Sequence, residues 1–298
     1  MAPQDGMSDM RRKTCSRFGA AAIGAMLVAA PLKAESPRDA MLASDPFSAL
    51  VGKQAKGTAS GSGGQVVRYG VATGDRAFLV EGVVGAARIK FLCGDDDPRI
   101  DCTLDPNGPA EEIHLAVATR GPRGDVIYKG ESGAPLLRIA AYGGATVFWP
   151  DGAGGEAASK SFGDDGPLVL PTAGRADVER RAAAAAARLS EIAGEPIVFT
   201  LAPTASTVVP PTDNAPATDD GVLADAIMRA AAGMATVADD PTGAQALARR
   251  VKEVRFISGW SPAVTLDGRA LKIVYNPSAD AAGRPSSRAV AEFLEKSL

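Results

Sequence analysis

The period of apolar and polar positions changes along the 298-residue chain, and each change predicts a different element. From Gln65 to about Pro171 apolar residues recur at every second position in short runs, the pattern of strands. Ile89 and Phe91 alternate with Arg88 and Lys90. Ile113, Leu115 and Val117 alternate with Glu112, His114 and Ala116, which places His114 on the expected polar side of its strand. Residues 125–129 (DVIYK) and 135–141 (PLLRIAA) flank a turn at Gly130-Glu131-Ser132-Gly133. Gly143-Gly144 then turns the chain into residues 145–149 (ATVFW), which Pro150 stops. The prediction is an antiparallel meander whose register is set by its turn residues.

Over residues 175–193 the spacing becomes three and four. Val178, Ala182, Ala185, Leu189 and Ile192 share one helical face, while Arg180, Arg188 and Glu191 lie elsewhere. A six-alanine run inside this stretch has the highest helix propensity available. Gly194 and Pro196 end the helix, and residues 196–201 (PIVFTL) read as a strand. Residues 204–220, rich in Pro, Thr, Asp and Ala, form the linker candidate. Helices are expected over 221–238 and 243–252, with Asp239-Asp240-Pro241 between them. Short strands follow at 254–258, 263–266 and 270–275, the last two joined by an Asp267-Gly268 hairpin turn. A helix over about 286–296 closes the chain. The fold class is α+β: an antiparallel β-rich module with one long helix (65–203), the linker (204–220), and a smaller helix–strand module (221–298).

The first residues obey neither period. Arg11, Arg12, Lys13 and Arg17 precede an uncharged, Ala/Gly-rich stretch at 18–32, and Leu32-Lys33-Ala34 offers a cleavage site before Glu35. The stretch has the length of a signal-peptide core rather than the ~20 apolar residues of a membrane span. Residues 1–34 are therefore expected to be a cleaved signal peptide, and the mature protein to be periplasmic or secreted. Arg11-Arg12 leaves both the general secretory and the twin-arginine routes open. Residues 35–64, ending in a Gly/Ser-rich run, read as a flexible lead-in.

Loss of five basic and two acidic residues with the signal takes the net charge from −3 to −6. A mildly acidic chain has no electrostatic footprint for nucleic acid, and no transmembrane segment is expected after cleavage. Cys93 and Cys102 are the two cysteines left, and in an oxidising compartment they read as a disulfide.

Between and beyond those cysteines lies the densest acidic cluster: Asp95, Asp96, Asp97, Asp101, Asp105, Asn107, Glu111 and Glu112. Asp105-Pro106-Asn107-Gly108 resembles part of a calcium loop, but the glycine comes two places early and Ala116 stands where the bidentate Glu belongs. A solvated acidic hairpin tip is the simpler expectation. Gly130-Glu131-Ser132-Gly133-Ala134-Pro135 superficially resembles a serine-protease nucleophile segment. Its base would have to be His114, the only histidine, with Asp125 as orienter. All three fall in one meander, so a hairpin turn explains the segment better. The glycines at 152–155 lack the Lys-Ser/Thr of a phosphate loop and read as loop. No catalytic, cofactor-binding or metal-ligating residue is assigned.

Arg123 to Lys129 (RGDVIYK), Gly133-Ala134-Pro135 with Leu137-Arg138, and Gly143-Gly144 with Thr146 and Phe148 resemble an uncharacterised family of exported alphaproteobacterial proteins. In the tail, Arg249-Arg250, Val254-Arg255-Phe256-Ile257, Leu271-Lys272-Ile273 and Gly283-Arg284-Pro285-Ser286-Ser287 are similar to the same family. The resemblance spans roughly residues 65–290 and implies export and this layout, with no activity, cofactor or partner attached. It leaves out the cysteine-bracketed acidic segment. The functional expectation is a non-catalytic, envelope-associated binding or interaction module. The alternative is a carboxylate-dependent hydrolase of envelope polysaccharide, which needs two facing carboxylates across a sugar-sized cleft.

Overall fold

Tight turns between short alternating strands leave each strand no partner but its neighbours, and the computed structural model has that arrangement. It describes residues 64–298 apart from 73, 75, 84, 96, 106, 107, 153 and 202–219. The expected signal peptide, nearly all of the lead-in and all but Asp220 of the linker thus lie outside the described residues. Eight strands run up and down: β1 (Val66–Val71), β2 (Ala77–Val83), β3 (Ala86–Phe91), β4 (Ile113–Arg120), β5 (Val126–Lys129), β6 (Pro135–Ile139), β7 (Ala145–Phe148) and β8 (Gly155–Ser161). Each pairs with the next, and β8 pairs with β1, so the antiparallel meander closes into a barrel. Gly133 and Gly143 adopt left-handed backbone (φ 79° and 94°) at the two expected turns, where a side chain would strain the chain.

An eight-stranded barrel is just wide enough for side chains to fill it. Phe78, Ile89, Leu137 and Val147 are completely buried inside, with Tyr69 stacked on Phe78 at 5.1 Å. Trp149 closes one end: its ring lies 5.0 Å from Phe91, and Arg76 stacks on it at 3.8 Å. The interior is a solid core rather than a lumen.

Two local expectations change. His114 pairs with Ile89, and Ala116 with Ala87, so His114 shares the interior face of the barrel. Ile113 and Leu115 point outward, yet pack with Leu79, Leu168 and Ala281 beneath the following segment. A strand covered on both faces carries no alternation that reveals which side is inside. The glycine run at 152–155, read as loop, ends in the first residue of β8. That strand (GEAASKS) is largely solvent-facing and has no apolar signal, but its pairing with β1 closes the barrel.

Beyond the barrel the chain builds an α/β layer. Helix α2 (Arg175–Ala193) buries Val178, Ala182, Ala185 and Leu189, the face its spacing predicts, and stops at left-handed Gly194. A short helix α1 (Ile100–Thr103) lies within the β3–β4 connection. Strand β9 (Val198–Leu201), helices α3 (Gly221–Ala238) and α4 (Pro241–Arg250), strands β10 (Glu253–Ser258), β11 (Ala263–Asp267) and β12 (Ala270–Tyr275), and helix α5 (Ser287–Ser297) follow. The sheet order is β11-β12-β10-β9, with β9, β10 and β12 parallel and β11 antiparallel. Thus α2 and β9, which the sequence groups with the preceding strands, pack with elements from beyond residue 220.

Helix α3 is the hub. It contacts α1, α2, α4, α5 and β12, and every residue of it except Thr236 is buried. Although long and apolar enough to cross a membrane, it is 94% buried within the protein. Its Gly233 lets α5 approach closely, since an added Cβ would overlap the Ser287 carbonyl oxygen and lie 2.7 Å from Val290 Cβ. The far face of the sheet is open. Val198 and Ile257 are exposed there, and Trp260 is exposed in the loop after β10.

Candidate functional site

Charged residues inside a helix that is otherwise apolar need partners, because an isolated buried ion is strongly destabilising. Asp225 and Arg229, one turn apart on α3, meet that need at the rim of the barrel. Arg229 is 1% exposed; it donates to the Ala110 carbonyl and lies 3.2 Å from Asp225 and 3.5 Å from Glu112. Arg284, from the loop before α5, donates to Asp225 at 2.5 Å and to the Ile113 carbonyl at 3.0 Å, with Glu112 at 3.5 Å. Glu112, just ahead of β4, accepts from the Ser287 hydroxyl and, at 3.3 Å, from the Ser287 amide. Two carboxylates and two guanidiniums therefore pin the barrel, α3 and the start of α5 together.

Burial alone would raise the Glu112 carboxyl, but His114 once protonated in acid, the charges of Arg229 and Arg284 and the bond from Ser287 outweigh it and bring its pKa to about 2. His114 moves down: burial opposes its charge, Arg229, Arg284 and Arg99 add to that, and Glu112 only partly offsets them. The imidazole is thus a neutral group at pH 7, edge-on to Phe91 at 5.2 Å. No hydrogen bond to its nitrogens comes from any described residue.

Over this network lies a half-open cleft of about 190 Å³. Buried Glu112 and Arg284 and half-buried His114 line it together with the apolar Leu115, Leu136 and Ala289, and the more exposed Glu131, Ser132, Arg288 and Glu292 form its mouth. Two of its walls are the turn Gly130-Glu131-Ser132-Gly133 and the Gly283–Ser287 run. They meet directly: the Ser286 hydroxyl donates to Glu131 at 2.7 Å and caps α5 by accepting from the Ala289 amide at 3.1 Å. Arg288 donates to Glu292 at 2.9 Å on the outer surface.

The disulfide expected between Cys93 and Cys102 is present. It closes the connection between β3 and β4, whose Ala110 amide bonds the Asp101 carbonyl at 2.8 Å, while the Ala110 carbonyl receives Arg229. Burial raises the carboxyl of Asp101, against the pull of Arg99 and Arg229. The acidic cluster is not the solvated tip expected from sequence. Asp95 is exposed as expected, but Asp97 grips Arg99 with both oxygens, Glu111 pairs with Lys90 at 2.6 Å, Asp105 lies 3.4 Å from Arg181, and Glu112 sits in the network. Most of its basic partners come from elements that are remote in sequence, which local composition does not reveal. Asp96 and Asn107 lie outside the described residues.

Ser132 and His114 do line one cleft, but no hydrogen bond joins them. Asp125 sits at the opposite end of β5, where it is held by Arg138 and, at 3.1 Å, by the Ala141 amide. The serine-protease arrangement is not assembled. Trp149 is buried in the barrel, and Trp260 belongs to the loop after β10, so neither offers the cleft an aromatic platform. Sequence reasoning missed Arg229, Asp225 and Arg284 as site residues. A charged i, i+4 pair inside an apolar helix was the signal that could have found the first two.

No curated protein and no solved structure matches the chain. A family model described as a domain of unknown function (DUF4908) matches residues 46–294, taking in the barrel, the disulfide connection, the cleft and most of α5. The chain therefore belongs to the DUF4908 family of domains of unknown function.

Proposed function

We propose that this protein is an exported, non-catalytic binding module of the cell envelope, and that the cleft at the barrel rim is where it takes its ligand. The observation that carries the reading is the state of the cleft's innermost carboxylate. A glycosidase-type general acid must hold its proton near neutral pH. Glu112 is kept ionised down to about pH 2 and has Ser287, Arg229 and Arg284 around it. Such a group fixes the shape of a site rather than exchanging protons with a substrate. The solid barrel leaves no lumen for a larger ligand, which again favours the rim. Export rests on the basic and apolar segments of residues 1–34, and a disulfide fits an oxidising compartment.

Two measurements test this. N-terminal sequencing of protein recovered from the periplasm or medium is expected to start at Glu35; protein starting at Met1 and confined to the cytosol would refute export. Amide NMR spectra of the mature protein, titrated with envelope building blocks (hexosamines, N-acetylhexosamines, short peptides), are expected to shift resonances around the cleft without turnover. Product formation that Glu131→Gln abolishes would move the assignment to the hydrolase.

A further inference from the structure

The lining of the cleft specifies a ligand more closely than binding alone. We propose that the cleft receives an aminoalkyl group, an ammonium on a short methylene stem, an assignment that rests on the binding role proposed for the cleft.

Size comes first. Pockets for drug-sized ligands run to ~300–1,000 Å³, and about 190 Å³ admits one side-chain-sized group. Leu115, Leu136 and Ala289 give that group apolar sides for a stem. The polar lining is rich in acceptors. Glu131 has one oxygen engaged by Ser286, leaving the other open, and Glu292 has one oxygen on Arg288. The Ser132 oxygen receives only a long 3.4 Å bond from the Ala134 amide.

His114 is the independent observation. It lines the cleft, half-buried, as a neutral imidazole without a hydrogen-bond partner among the described residues. Half-buried in the cleft wall, the ring can accept from a donor placed in the cleft. Of the donors, Arg284 is engaged by Asp225 and the Ile113 carbonyl, and the exposed Arg288 gives its Nε to Glu292.

Charge points the same way. Glu112, Glu131 and Glu292 face Arg284 and Arg288, which leaves the lining one negative charge in excess with His114 neutral. One ammonium balances it. An anion would meet that excess, with Arg284 already engaged by Asp225 and the Ile113 carbonyl.

The test uses the mature, disulfide-bonded protein and three probes: cadaverine, Nα-acetyl-lysine N-methylamide, and the same lysine derivative acetylated on its side-chain nitrogen. The first two separate a free diamine from a peptide-borne lysine as the source of the group. Saturable shifts of Glu131, Ser132, Leu136 and Ala289 amides are expected with at least one of them, and loss of binding on Nε-acetylation. Glu131→Gln and Glu292→Gln are each expected to weaken binding about tenfold. Both sites lie at the open mouth, and the amide oxygen introduced by Glu131→Gln can still accept from Ser286. Folding is therefore retained, and the unshifted remainder of the spectrum checks it.

Equal binding of the acetylated probe, unchanged affinity in both variants, or the same shifts with potassium chloride alone would each overturn the proposal. If neutral sugars or carboxylates move the cleft resonances and neither amine does, the amine assignment falls while the binding module stands. If nothing moves them, both fall.

Discussion

Replacing Glu112 with Gln removes one charge from a site where every other charge is placed against it. The expected cost follows from the carboxyl's displacement. An ordinary Glu titrates at 4.5 and this one at about 2. At about 1.4 kcal/mol per pH unit, the folded state favours the ionised form by about 3 kcal/mol. Removing one partner of a buried ion pair costs about 3–5 kcal/mol by mutational experience, because Arg229 and Arg284 are left with Asp225 alone. The two routes agree. The sign fixes a pH signature as well. A carboxyl held low by the fold contributes its full stability above about pH 4.5 and loses it as pH falls toward 2, because protonation then removes the charge in the parent too. Urea unfolding of parent and Glu112→Gln proteins at pH 7 is therefore expected to differ by about 3 kcal/mol, and at pH 3 by about half of that or less. A difference below about 0.5 kcal/mol at pH 7, or one unchanged between the two pH values, would refute the view that this ionised carboxylate ties the barrel to the helices.

Reducing Cys93–Cys102 is expected to cost about 2–3 kcal/mol by loop-closure entropy, read as a lower thermal midpoint with reductant; an unchanged midpoint would count against it. Gly233→Ala should destabilise despite the ~1 kcal/mol helix-propensity gain of alanine, since the new methyl meets the α5 backbone, and a stabilised variant would contradict the packing. Phe91→Ala, at the junction of Phe78, Trp149 and His114, should cost about 3–5 kcal/mol by denaturant titration. Calcium should leave unfolding unchanged, because Asp97, Asp105, Glu111 and Glu112 already face basic side chains; a clear upward shift of the midpoint would overturn that.

What can be read from sequence divides by the range of the interactions involved. Helix α2 is legible to the residue because its period, its alanines and Gly194 are local signals, and all agree. The strands after the barrel and the hairpin at Gly268 are legible for the same reason. Closure of the barrel is not, because β8 is made largely of Ala, Ser, Lys and Glu and holds its place through hydrogen bonds to β1 and β7. Alternation misplaces the two faces of β4 because its outer face, too, carries apolar residues: Ile113 and Leu115 pack under residues from beyond the barrel, while Val117 on the same face is exposed. The site is half visible. Two of its walls, the glycine turn at 130–133 and the run at 283–287, stand out as motifs about 150 positions apart with no chemistry to connect them. The bond from Ser286 to Glu131 and the ion pairs beneath it supply that connection, and no local pattern reports them.

That connection also explains why a family with no assigned activity would hold such different segments together. An antiparallel barrel with a solid interior can fold around its own core, and the α/β layer has its own core around α3. Joining them through buried charges gains little stability, since apolar contacts of the same volume would stabilise at least as well. What ion pairs add is position: guanidinium and carboxylate meet at fixed angles, so barrel rim and α5 cannot slide past each other as two greasy surfaces can. The cleft is the space those fixed angles leave, with Glu112 and Arg284 belonging both to the clamp and to the lining. A ligand that displaced either would have to break the clamp, so the groups open to it are those at the mouth and the unbonded imidazole. Stability and recognition then use different atoms of one cluster. Glu112→Gln should loosen the fold, whereas Glu131→Gln should leave stability within about 0.5 kcal/mol of the parent while weakening the ligand.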